Sequence, residues 1–309
     1  MKKKKSGLLI ILIGILVVLY PIISNILMAK TQTKVISTYD ETIAKMEKEQ
    51  IESEKEKARL YNERLTSENA IRIDMEESDD ENISYMNVLN IGDIMGYISI
   101  PKIEAYLPIY HGTSESVLQS GVGHVNSSSL PIGEKNSHTV LAGHSGLVRT
   151  KIFDQLNKLE ENDMFFIYMF DEVFAYRVNQ IKVVLPNNTQ DVQIVNGKEY
   201  VTLLTCTPYA INSHRLLVRG ERVEGYVVPE ENENENANTN TNTNEIKQDV
   251  VKDTQNIEKK IQKTNVKIII AVILVVIFIA VLMIFIIITI HENNRIKKKI
   301  QKIKGNKQD

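Results

Sequence analysis

A mainly β domain, an antiparallel sheet or barrel carried between two membrane-spanning helices, is the architecture this sequence predicts. Three observations predict it. Between residues 85 and 228, short runs rich in Ile, Val, Tyr and Thr alternate with turn signals: MGYISI, AYLPIY, HTVLAGH, DMFFIYMF, VFAYRVNQIKVVL, YVTLLTC and HRLLVRG. Two uncharged, apolar stretches, 7–28 and 268–290, flank that region, each about as long as the ~20 residues a bilayer span needs. Between them and the β region lie polar segments that cannot build a core of their own.

Taken in order, residues 1–6 are a basic tail, with Lys2 to Lys5 placing the N-terminus in the cytosol. Residues 7–28 (GLLIILIGILVVLYPIISNILM) read as a retained anchor. The alternative is a cleaved signal peptide, but the stretch exceeds a typical apolar h-region and lacks a small-x-small cleavage site. Residues 29–84 form an extracytoplasmic helical stalk and a connector. Within the stalk, 33–68 has no glycine or proline, and Ile36, Tyr39, Ile43 and Met46 recur at three- and four-residue steps before the stripe fades. A solvated helix packing lightly on its neighbour is expected, because no sustained heptad follows. TSENAIRIDMEESDDEN (66–82) is the polar, acidic connector.

Within the β domain, 85–228, Phe174, Tyr176 and Val178 share one parity and Ala175, Arg177 and Asn179 the other, as a half-buried strand requires. Asp171 and Glu172 are expected to turn the hairpin before it. A short helix is expected over Lys151–Leu159, where Ile152, Phe153, Leu156 and Leu159 fall on one face. Residues 229–267 are a low-complexity linker with a random-coil span on the order of 35 Å. The second apolar stretch, 268–290, is too long and too uniformly apolar for an ordinary core helix, and the basic tail 291–309 is assigned to the cytosol. The result is a two-pass membrane protein with its β domain outside.

Composition excludes several functions. Net charge is -2 with 25% charged residues, so no basic field points to nucleic acid. One cysteine, Cys206, rules out an internal disulfide framework and multi-cysteine zinc sites. The six histidines show neither HExxH nor i,i+4 spacing, and there is no Walker loop, GxGxxG or GxSxG, so no metal and no cofactor are expected. What remains is covalent catalysis by Cys206 with a histidine partner.

Cys206 ends an apolar strand and opens into a polar, turn-prone loop, where a thiol is either exposed to a groove or a small buried residue. Arg215 begins the returning strand. In a hairpin it lies beside the thiol, able to stabilise a thiolate or an oxyanion, or it is an ordinary surface arginine. His144, in HTVLAGHSG, sits between two glycines at a strand end; His138 and His124 compete with it or are structural.

TLLTCTPYAINSHRLLVRG (202–220) resembles the signature of sortases, the cysteine transpeptidases of the Gram-positive surface, in the form typical of the class C, pilin-polymerising branch. GYISIPKI (96–103), LPIYHGTS (107–114), SGVGHVNSSSLPIG (120–133) and HTVLAGHSGL (138–147) support the likeness. The resemblance implies a closed eight-stranded β-barrel with short helices, and two flanking spans suit class C. It implies His144, Cys206 and Arg215 as the catalytic trio. Cys206 would attack the Thr–Gly carbonyl of an LPxTG-like sorting signal, His144 would carry the protons and Arg215 would hold the oxyanion or substrate backbone. The acceptor would be a pilin lysine amine; a cell-wall precursor amine, or water in an envelope cysteine protease, are the alternatives. One feature departs from the branch. Its lid carries a D-P-aromatic motif, whereas here no proline occurs between Pro21 and Pro101, and Asp74-Met75 is at most a remnant.

Overall fold

The computed structural model describes residues 2–68, 85–146 and 152–226, together with residues 270, 285, 288–289, 291–293 and 295–296. Residues 1–247 form one compact unit and 248–309 a second, whose described residues are helical. The connector up to residue 84, the linker and most of the second apolar stretch lie outside the described residues. Among the described residues no helix is long and apolar enough to cross a membrane.

The expected β-barrel is present and closed. Its strands are β1 (Gly96–Ile100), β2 (Ala105–His111), β3 (Val122–His124), β4 (Ser137–Ala142), β5 (Met164–Met169), β6 (Glu172–Val184), β7 (Glu199–Thr207) and β8 (His214–Arg222). They run in the order β1-β2-β3-β4-β7-β8-β6-β5, and β5 returns to β1. The pairings are not all antiparallel as expected: β2 with β3 and β4 with β7 run parallel. A parallel pair needs a crossover. Here a short helix, α3 (Glu115–Ser120), makes one crossing, and the segment holding β5 and β6 makes the other. Alternation alone cannot distinguish the two ladders.

Alternate residues of β7 point to opposite faces, and nearly all are buried because each face is covered. One face fills the barrel. Phe165 stacks on Tyr176 at 5.4 Å, and both press on Gly220, where an added Cβ would come within 2.5 Å of the Phe165 ring. The other face builds an outer cluster of Val140, Ala142, Leu204, Leu217 and Val184 under Leu118 of α3 and Val192. The β5–β6 turn falls at Phe170-Asp171, with Met169 paired to Glu172.

Two expectations about helices are corrected. Ile152, Phe153, Leu156 and Leu159 are all buried as their spacing suggests. The described part of that segment, however, is turns and a single 3-10 turn at Leu156–Lys158, bonded Leu156 N to Phe153 O and Leu159 N to Leu156 O. So short a piece cannot recover the cost of helix nucleation.

The stalk is not one lightly packed helix. It comprises α1 (Lys2–Ile43) and α2 (Lys48–Glu68), broken at residues 44–47, and both dock on the barrel. From α1, Ile36 and Tyr39 are wholly buried; Tyr39 meets Tyr97 edge-on, and its hydroxyl accepts from Phe170 N at 2.8 Å. From α2, Asn62 donates to Leu130 O at 3.0 Å and accepts from Leu130 N at 2.7 Å, Tyr61 donates to Asn126 O, and Lys55 pairs with Glu172. Burying an Ile36-sized side chain contributes about 1.5–3 kcal/mol, far more than a solvated stalk would gain.

Candidate active site

The register of three adjacent strands assembles the site. Across the β7–β8 hairpin, Cys206 stands opposite Arg215, and Thr207 opposite His214. On the other side of β7, β4 runs parallel with Ala142 level with Leu204. His144 follows two residues beyond Ala142, past the end of β4. Cys206 and Arg215 therefore share one row of the hairpin, and His144 lies in the loop that leaves the neighbouring strand at the same end. Cys206 is half-buried, and the His144 side chain is 24% exposed, so both are open to a ligand yet held by the scaffold.

Local bonds hold the row. Beyond the end of β4, Gly143 N donates to Leu204 O at 3.0 Å, and Thr205 Oγ1 donates to Gly143 O at 2.7 Å. Ser145 Oγ donates to Cys206 O at 2.6 Å, which ties the loop after His144 directly to the Cys206 backbone. Gly143 is required by close approach, since a Cβ there would lie 2.6 Å from the Phe153 ring. Gly146 adopts φ +88, with the Tyr209 ring against its α-carbon. Arg215 donates from Nη1 to the carbonyls of Asn212 and His214, which folds its guanidinium back over the loop it leads out of.

The competing histidines are structural. His124 is wholly buried between the Tyr85 hydroxyl, 2.8 Å from Nδ1, and Ser129 O, 3.0 Å from Nε2; burial lowers it to about 3. His138 is pinned by Gln193 O and Thr202 Oγ1, and burial lowers it to about 4. His111, bonded to Val88 O, is lowered by burial too. All three stay neutral and satisfied, so none is free to relay protons at Cys206.

One neighbour had no sequence signal. Glu115, in the first turn of α3, places Oε2 3.2 Å from His144 Nε2, from 29 residues earlier in the chain. Among the described residues no group of His, Cys, Asp and Glu could hold a metal ion. A thiol opposite a guanidinium, with an imidazole at the end of the adjacent strand, can perform acyl transfer: a nucleophile, a cation for the tetrahedral oxyanion and a proton carrier.

Comparison with known proteins agrees with this chemistry. The sortase-domain family model matches residues 98–223. The chain is similar to the solved structure of Streptococcus pneumoniae sortase C, at 42% identity and a TM-score of 0.58, covering 63% of this chain and 99% of that one. It is also similar to sortase C-1 from Actinomyces oris, at 42% identity and a TM-score of 0.54, covering 57% and 98%. Sortase D of Bacillus subtilis is 33% identical over 135 residues, 43% of this chain. That match spans 65% of the length of the Bacillus protein.

Proposed function

The chain belongs to the sortase family, and from that premise we propose that it is a membrane-anchored cysteine transpeptidase that joins pilin subunits. The observation that carries the reading is the Cys206–Arg215 pairing in the β7–β8 register, with His144 on the adjacent strand extension. Cys206 attacks the carbonyl between Thr and Gly of an LPxTG-like sorting signal. A C–S bond forms, the C–N bond breaks, and the proton carried by His144 goes to the leaving glycine amine. Arg215 steadies the oxyanion as it develops. An incoming amine then gives its proton to His144 and displaces the thiol.

The likeness to sortases C, the first of them described in terms of pilin substrate specificity, favours a pilin lysine as that amine. The apolar stretch 7–28 supports anchoring through α1, whose later turns carry Ile36 and Tyr39 onto the barrel. This arrangement would hold the site close to an outer membrane face, where sorting substrates emerge.

The test uses the full chain in detergent micelles with an LPxTG peptide. The expected result is an acyl adduct on Cys206 by mass spectrometry, absent in Cys206→Ala, that a lysine-bearing pilin domain converts to an isopeptide product. Transfer only to a cell-wall precursor amine would replace the pilin acceptor, and release only to water would indicate a protease. No adduct at all would sink the acyl-transfer reading.

A further inference from the structure

Glu115 contacts His144 in a way that selects which ring nitrogen does chemistry. A carboxylate only accepts hydrogen bonds, so at 3.2 Å from Glu115 Oε2 it is His144 Nε2 that carries the hydrogen. In the neutral ring, Nδ1 then holds the lone pair. The carboxylate is itself oriented: its Oε1 accepts from Gln119 Nε2 at 2.7 Å, one turn along α3. That bond, with His144 beside it, keeps the Glu115 carboxyl below the usual range and therefore anionic. The helix is anchored by Leu118, which packs into the same cluster as Ala142 and Leu204, just beneath His144 and Cys206. Among the described residues no other side chain hydrogen-bonds the His144 ring.

We propose that Glu115 is a positioning residue that holds His144 by Nε2 and so assigns Nδ1 to proton exchange with Cys206 and the amines. The inference rests on the acyl-transfer reading above. When the thiol attacks, its proton passes to Nδ1, and the resulting imidazolium stays paired with the Glu115 carboxylate. The same proton leaves with the departing amine, so charge and atoms balance. Glu115 is exposed, and an exposed pair contributes little to stability; its effect lies in orienting the ring. Among the described residues the ionisable group bonded to His144 is Glu115 from α3, and the β7–β8 hairpin beside β4 carries Cys206 opposite Arg215.

Because Cys206 is the only thiol, its alkylation by iodoacetamide reports thiolate formation without any substrate. The full chain in micelles is alkylated between about pH 5 and pH 9 as wild type, Glu115→Ala, Glu115→Gln and Glu115→Asp. The alanine and glutamine variants are expected to alkylate at least about threefold more slowly near pH 6.5, because the ring is no longer held by Nε2 with Nδ1 free to take the thiol proton. Their kcat on the sorting peptide should fall about tenfold with KM little changed, and aspartate should restore part of both. Should the alanine variant not fold, the glutamine variant, which keeps the length and a partner for Gln119, decides alone. Alkylation profiles that superimpose on wild type, with unchanged melting, overturn the proposal. A shifted profile in a chain that forms no acyl adduct leaves the role of Glu115 standing and removes the transpeptidase reading.

Discussion

Acid should unfold this barrel earlier than its carboxylates alone would dictate, and the two most buried histidines set the size of the effect. His124 in β3 and His138 in β4 flank the route to His144, and burial lowers them from 6.5 to about 3 and about 4. A lowered folded-state pKa means the unfolded chain takes up the proton first on acidification. The stability they contribute is therefore complete above about pH 6.5 and falls from there until the folded pKa values are reached. At pH 5 each ring has lost about 2 kcal/mol relative to neutral pH, about 4 kcal/mol for the pair, a large part of a typical domain's total. His111 acts in the same direction. Glu199 and Glu134, whose carboxyls are raised by burial, act oppositely, and a Glu199→Gln background removes one of these counter-effects. Urea unfolding of the full chain at pH 7.5 and pH 5.0 should show a midpoint drop of about 2 M for an m-value near 2 kcal/mol/M. A midpoint unchanged across that interval, or imidazole resonances of both rings titrating near 6.5, would refute the reasoning.

Two further outcomes test the site and its scaffold. Arg215→Lys, which removes the planar guanidinium that donates from Nη1 to the Asn212 and His214 carbonyls, should lower kcat/KM for acyl transfer by about 10²–10³-fold with little change in melting, measured by peptide turnover. Asn62→Ala leaves the amide of fully buried Leu130 without its partner and its carbonyl with Ile132 N alone, so denaturant unfolding should show a loss of about 1–3 kcal/mol and α2 should become protease-sensitive.

Much of the site was legible from sequence because it is built from local order. A strand, a turn and a returning strand place Cys206 opposite Arg215 through hairpin register alone, and nine residues of chain suffice to state it. His144 was less certain. Three histidines follow or open strands in the same region, and only burial separates them: His124 and His138 are enclosed and bonded at both nitrogens, while His144 remains open. Glu115 was invisible, since its six-residue helix gives no pattern beyond an i,i+4 pair with Gln119.

Period-two alternation, turn residues and the lone thiol therefore determined a β domain with a strand-end cysteine and an arginine neighbour, because each is a property of residues close in the chain. Tertiary structure decided the parallel β4–β7 pairing that sets the His144 loop beside the strand carrying Cys206, the contact of Glu115 with the imidazole, and the docking of α1 and α2 through Tyr39 and Asn62. Each of these depends on a pairing between segments distant in sequence, and the free energy that selects it comes from surfaces buried together rather than from any local preference.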